Sequence, residues 1–127
     1  MDCPQAAGVV FVDDVLGVSA FYRAVAGMEV LHAGDGYVVL GIEGFQLTVH
    51  ALPVPGGDGS GRYPTRQDSY VKLCFPVRSL AKARATAAES GGELWPADRE
   101  WEARGFRACD GRDPEGNVFQ LRERSGA

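Results

Sequence analysis

The tripeptide Phe-Gln-Leu occurs twice, at 45–47 and at 119–121, and each copy lies at the end of the same succession of elements. Ahead of the first copy, "GVVFVD" (Gly8 to Asp13) is a short β-branched run bounded by acidic residues, which predicts a buried strand. Asp14 is placed to cap a helix, because its carboxylate accepts the free N–H groups of the turn that follows. Within "VLGVSAFYRAVAG" the apolar Val15, Val18, Phe21, Tyr22 and Val25 recur at three- and four-residue steps, and Gly27 can take the left-handed conformation that stops a helix. "MEVLHA", "YVVLGI" and "FQLTVHAL" follow, divided by turns at Gly34 to Gly36 and Glu43-Gly44, and each is β-forming. The first half reads βαβββ.

The second half repeats the order. "YVKLCFPV" (Tyr70 to Val77) predicts a strand, Ser79 a helix cap, and "LAKARATAAESGG" an alanine-rich helix ended by Gly91-Gly92. "ELWPAD" predicts a strand, "REWEARG" a polar loop, "GFRACDGR" a strand, "DPEG" a β-turn and "NVFQLRER" the last strand. The Pro- and Gly-rich stretch 53–68 has no periodicity and reads as a linker between a unit at 7–52 and a unit at 69–124, both inside one domain of residues 1–127. Val12 and Phe45 are 33 positions apart and Val77 and Phe119 are 42 apart, so the second copy carries nine extra residues, assigned to "PADREWEARG".

A βαβββ unit covers one face of its sheet with its own helix and leaves the other bare, so two copies must pair to finish burial. The expected fold is α+β: two tandem βαβββ units forming a curved mixed sheet, helices on the outer face and a concave ligand cleft within. A hydrophobic content of 45% in 127 residues supplies the core.

A net charge of −4 argues against nucleic acid, whose binders need clustered Lys and Arg. No apolar run approaches the roughly 20 residues of a membrane span, and "MDCPQAAG" lacks the basic and apolar regions of a signal peptide, so a cytoplasmic protein is expected. Cys3, Cys74 and Cys109 are an odd set without C-x-x-C spacing and read as reduced thiols.

The duplicated pattern, with "VDDVLGVSAFYRAVAGMEV", "KLCFPVRSLAKARATAAESGG" and "DPEGNVFQL", resembles the vicinal oxygen chelate superfamily of glyoxalase I, extradiol dioxygenases, fosfomycin-resistance enzymes and bleomycin-resistance binding proteins. The resemblance runs from about residue 7 to residue 123. It implies metal ligands at four equivalent strand positions, which fall here on Ala7, Gln46, Lys72 and Gln120. Alanine has no donor atom, a protonated lysine repels a cation, and glutamine offers only a neutral carbonyl, so no metal and no cofactor are expected.

Strand alternation puts Phe45, Leu47, Val49, Leu73, Phe75, Val77, Phe119 and Leu121 under the helices. The opposite parity lines the cleft with Phe11, Gln46, Thr48, His50, Lys72, Cys74, Gln120 and Arg122, alongside Ala7, Val9 and Val118. Gln46 and Gln120 either bind a neutral polar ligand or brace the sheet. Lys72 either joins an internal ion pair or anchors an anion. Cys74 reads as a packed thiol, and His50 as a strand-end residue to be tested as part of the cleft. Trp95, Trp101 and Phe106 cluster around the insertion; aromatic faces wall planar ligands, Trp101 the more so for lying in a polar loop. Arg107 and Arg122, offset by Asp98, Glu100 and Glu102, read as a solvated rim.

The expected function is metal-free binding of a small molecule, planar or polar, as in drug sequestration. One alternative is a metal-independent lyase, isomerase or hydrolase using Lys72, His50 or Cys74. Another is a regulatory or interaction module whose cleft is closed by side chains. The resemblance implies a homodimer.

Overall fold

The computed structural model describes residues 4–126, so Cys3 lies outside the described residues. The first half comprises β1 (Ala6–Val12), α1 (Val15–Ala26), β2 (Glu29–Gly34), β3 (Tyr37–Ile42) and β4 (Phe45–Ala51). Its sheet has the order β1-β4-β3-β2, with β1 parallel to β4 and the other pairs antiparallel. Both predicted ends of α1 are present: Asp14 Oδ1 accepts from the Gly17 N–H at 2.9 Å, and Gly27 stops the helix at φ +66°.

The second half comprises β5 (Leu73–Val77), α2 (Leu80–Glu89), β6 (Glu93–Leu94), a 3-10 turn (Ala97–Arg99), β7 (Trp101–Glu102), β8 (Phe106–Arg112) and β9 (Val118–Arg124). β5 lies parallel to β9, which pairs with β8, and β6 and β7 both pair with β8. Ser79 caps α2, its Oγ accepting from the Lys82 N–H at 3.1 Å.

Three expectations change. The curved sheet is two hydrogen-bonded sheets, of four and five strands, which together make the α+β arrangement. The stretch "ELWPADREWEARG" is not a strand and a loop but an edge broken into two dipeptide strands, because Pro96 has no N–H for a continuous ladder and the chain turns there. Trp101 therefore stands on a strand. Finally, β5 starts at Leu73 rather than Tyr70, because β9 starts at Val118 and offers no partner further back; Ser69 Oγ instead bonds the Val71 carbonyl at 2.9 Å.

One core runs through both halves. Val12, Val18, Phe21, Leu40, Leu47 and Val49 meet Phe75, Leu80, Ala87, Phe119 and Leu121 in it. The Tyr22 ring lies edge-on to Phe75 and Phe119, at 5.9 Å from each, so α1 packs on the second sheet as well as on its own. Burial of a phenyl side chain stabilises by roughly 1.5–3 kcal/mol, which makes these aromatic contacts a principal bond between the halves.

The DPEG turn is the second bond. Asp113 is fully buried and accepts from the Tyr22 hydroxyl at 2.8 Å, from the Glu115 and Asn117 N–H groups and from the Asn117 side-chain amide. Burial and the Asp113 carboxylate both hold the Tyr22 phenol far above its ordinary pKa. Two residues on, Glu115 accepts the Asp13 N–H on one oxygen and the Asp14 N–H on the other, both at 2.7 Å. A turn of the second half thus satisfies the backbone at the start of the first helix.

Candidate functional site

Parity assigns the faces as expected. Leu47, Val49, Phe75, Phe119 and Leu121 are buried under the helices, with Phe45, Leu73 and Val77 packed at the margin. The opposite faces carry the polar and aromatic sets.

In the first sheet, register places Ala7 beside Gln46, Val9 beside Thr48, and Phe11 beside His50, with Gly41, Val39 and Tyr37 one strand further on. Phe11, His50 and Tyr37 make a row of rings: Phe11 and His50 centroids are 5.5 Å apart, and His50 stacks on Tyr37 at 6.1 Å and 10°. His32 extends the row, its Nε2 2.9 Å from the Tyr37 hydroxyl. His50 Nδ1 lies 2.8 Å from the Ala51 carbonyl, which can only accept, so that nitrogen carries a proton. Val9 and Phe11 are each 52% exposed, an apolar surface on a strand that the core does not use.

In the second sheet, the same face holds a connected polar row. Lys72 Nζ meets Asp110 Oδ2 at 2.7 Å, and Gln120 Nε2 donates to Asp110 Oδ1 at 3.1 Å. Arg122 Nε donates to Gln120 Oε1 at 2.7 Å and Nη2 to Cys74 Sγ at 3.5 Å. The Arg122 guanidinium lies 4.5 Å above the Phe106 ring, a cation–π contact. Trp101 is directly across from Ala108, which is directly across from Arg122, so all three share this face. Four cations, Lys72, Arg112, Arg122 and Arg124, here face two carboxylates, Asp110 and Glu93, in a chain whose net charge is −4.

A groove of about 600 Å³ joins the faces, lined by Val9 and Phe11 of β1, by Asn117 and Val118, and by Tyr63, Arg66 and Val71 of the linker. It continues past Arg66 and Val118 into a recess of about 290 Å³ at Lys72 and Asp110. Gln46 opens instead on a more open depression of about 700 Å³ with Glu29, Leu31 and Glu43.

The linker roofs this groove because both halves hold it. Asp13 accepts the Gly56 and Gly57 N–H groups at 2.7 and 2.9 Å and the Tyr63 hydroxyl at 2.7 Å. The Gly56 bond, followed by that of Tyr63, keeps the Asp13 carboxyl below its ordinary value, and Asp13 in turn pushes the Tyr63 phenol up to about 12. At the far end Arg66 N–H donates to the Gly116 carbonyl at 2.8 Å, and Arg112 donates to Thr65 Oγ1 at 3.0 Å.

These positions do not fit a divalent cation. Ala7 lacks a donor, Gln120 has its oxygen on Arg122, and Lys72 already occupies Asp110. No group of three His, Cys, Asp or Glu residues able to hold a metal occurs among the described residues. Register also refines the correspondence between halves. Ala7 pairs with Gln46, but the residue paired with Gln120 is Cys74, not Lys72. Counted from the helix caps the match is Lys72; counted along the ladder it is Cys74, so the second pair of strands has slipped by two residues.

Trp95 packs against the core, and Arg84 Nε donates to its carbonyl at 2.7 Å. Arg107 points to the other face and is no free rim charge: Glu100 bridges Arg107 at 2.6 Å and Arg84 at 2.5 Å, tying the insertion to α2. Cys109 is buried beside them, and burial raises its thiol pKa. Sequence reasoning missed Tyr37, Asp110, Arg66 and Tyr63. Cross-strand register brings in Tyr37 and Asp110, each directly across from a residue already singled out.

Residues 9–122 match the family model described as a glyoxalase-like domain. Among solved structures, the fold is similar to that of a glyoxalase/bleomycin resistance protein/dioxygenase family enzyme from Burkholderia phytofirmans PsJN, at TM-score 0.70 and 19% identity over 94% of this chain and 98% of that one. It is similar also to a mutant fosfomycin resistance protein, FosX, from Listeria monocytogenes, complexed with Mn(II) and 1S,2S-dihydroxypropylphosphonic acid, at TM-score 0.65 and 15% identity over 98% and 92%. An integron cassette protein from the mobile metagenome of V. cholerae gives TM-score 0.65 and 20% identity over 98% of each chain. No curated protein matches the sequence. At these identities the likeness is one of fold.

Proposed function

Given that the chain belongs to the glyoxalase-like domain family of the vicinal oxygen chelate superfamily, we propose that it binds a small organic molecule in the groove between β1 and the second sheet, without a metal ion. The observation that carries this reading is the Lys72–Asp110–Gln120–Arg122 row, in which two cationic side chains take up the oxygens that a metal would need. The Mn(II) of the FosX neighbour is not carried over for that reason. The roofed groove favours a ligand over a cleft closed by side chains, and its volume lies in the range of small-molecule sites.

Binding is favoured over turnover. His50 bonds only its neighbour's carbonyl and stands on the first sheet, while Lys72 and Cys74 belong to the second half, so none of these three side chains is hydrogen-bonded to another. Turnover of a compound by metal-stripped protein, abolished by Lys72→Ala, would reverse that preference. Exposed Val9, Phe11 and Leu31 support a homodimer that covers the first sheet, and a monomeric mass by light scattering would refute it. The free thiols of Cys74 and Cys109 support a reducing, cytoplasmic setting, and no helix among the described residues is long and apolar enough to cross a membrane.

The test is elemental analysis of fresh protein with thermal-shift screening of the metal-stripped form against small organic molecules. We expect no stoichiometric transition metal and a shift with a subset of compounds. Stoichiometric metal whose removal lowers Tm overturns the reading.

A further inference from the structure

The geometry points to a ligand class: an aromatic monoanion, its acid group on Arg122 and its ring against Trp101. This inference rests on the small-molecule reading above and specifies its chemistry, with the acid group and the ring on the β7–β8–β9 face beyond the residues that line the groove.

Arg122 is a pre-positioned guanidinium without a counter-ion. Of its five N–H groups, two are engaged, one by the Gln120 oxygen and one by Cys74 Sγ, and its central carbon lies 4.5 Å from the Phe106 ring centroid. No carboxylate pairs with it among the described residues. Asp110, an acid on this face, has one oxygen on Lys72 and the other on Gln120. Three N–H groups therefore remain for an incoming acceptor, and the fork geometry of a guanidinium matches a carboxylate. The bonds that hold it reduce the side-chain entropy lost on binding.

The same face supplies the apolar wall. Trp101 is 40% exposed and stands two strands from Arg122, about 10 Å at the usual strand spacing, with only the methyl group of Ala108 between them. A fused bicyclic ring bearing a carboxylate spans that gap. Four cations, Lys72, Arg112, Arg122 and Arg124, against two carboxylates, Asp110 and Glu93, disfavour a cationic ligand, and a neutral ring would leave the guanidinium unanswered.

Titration calorimetry on the full chain with 2-naphthoate and with 2-naphthamide, which match in ring shape and differ in charge, tests the inference. We expect naphthoate to bind at least about tenfold more tightly than the amide, a gap that Arg122→Gln closes and Trp101→Ala leaves open while weakening both probes. Raising salt on unmodified protein should weaken naphthoate alone, a check that requires no variant to fold. Equal affinity for the two probes overturns the anion assignment and leaves small-molecule binding standing. Selectivity that survives Arg122→Gln overturns the role of that residue. If neither probe binds while the thermal-shift screen finds other ligands, this inference alone fails; if that screen is also blank, both readings fail.

Discussion

Replacing Glu115 by alanine tests the claim that the DPEG turn holds the two halves together. The Glu115 side chain is 8% exposed and receives two backbone N–H groups, from Asp13 and Asp14, each at 2.7 Å. A hydrogen bond to a charged group contributes about 1.5–3 kcal/mol, and a carboxylate at a helix N-terminus about 0.3–1 more. Water reaches the freed amides in part, so the expected loss is about 3 kcal/mol, a substantial share of the roughly 5–15 kcal/mol of an ordinary domain. With a urea slope of about 1.5 kcal/mol/M the midpoint should fall by about 2 M. Glu115→Gln keeps the shape and one acceptor oxygen and should lose about half as much. Urea unfolding followed by circular dichroism and by tryptophan fluorescence makes the measurement. A loss under about 1 kcal/mol for the alanine variant, with the slope unchanged, would refute the reasoning, because it would mean that the halves are joined by core packing alone.

The linker clasp gives a pH prediction. Asp13 sits below its ordinary 3.8 chiefly through the Gly56 N–H, so its contribution is complete above that value and disappears as pH falls through the lowered one. Tyr63, raised from 10.0 to about 12 by Asp13, contributes fully below 10.0 and loses that contribution as pH rises through about 12. Ultraviolet titration should show one phenol ionising near 12, and Asp13→Asn should bring it down toward 10.0. Gly116→Ala should cost about 2–4 kcal/mol, since φ is +84° and the new methyl would lie 2.1 Å from the Pro64 carbonyl oxygen; proteolysis within residues 53–68 should accelerate with it. Lys72→Ala should change stability by less than about 1 kcal/mol, because its ion pair with Asp110 is solvent-accessible; a larger loss in thermal melts would show the pair to be structural.

The order of elements, both helix caps and the division of faces were legible in the sequence because each depends on neighbours a few residues apart. Asp14, Gly27 and Ser79 act within one turn, and alternation sorts Leu47 from Gln46 without knowledge of any partner. What escaped depends on how the sheets meet. Nothing local marks Asp110 as the acid between Lys72 and Gln120, or Glu115 as the acceptor for a helix that begins a hundred residues earlier. The linker misled for the same reason: its glycines and prolines show no periodicity, yet Asp13 holds its amides individually. Lys72 and Cys74 exchanged roles because the helix cap sets one count and the ladder another.

The two-residue slip between the halves bears on how such a repeat can diverge. A displacement of β5 by one residue against β9 would turn Cys74 into the core and expel Phe75, whereas a displacement of two keeps every side chain on its face and changes only its neighbour. Duplicated strands of this kind can therefore drift in dipeptide steps and in no smaller ones, and each step exchanges the cross-strand partners of the cleft while the hydrophobic interior stays as it was.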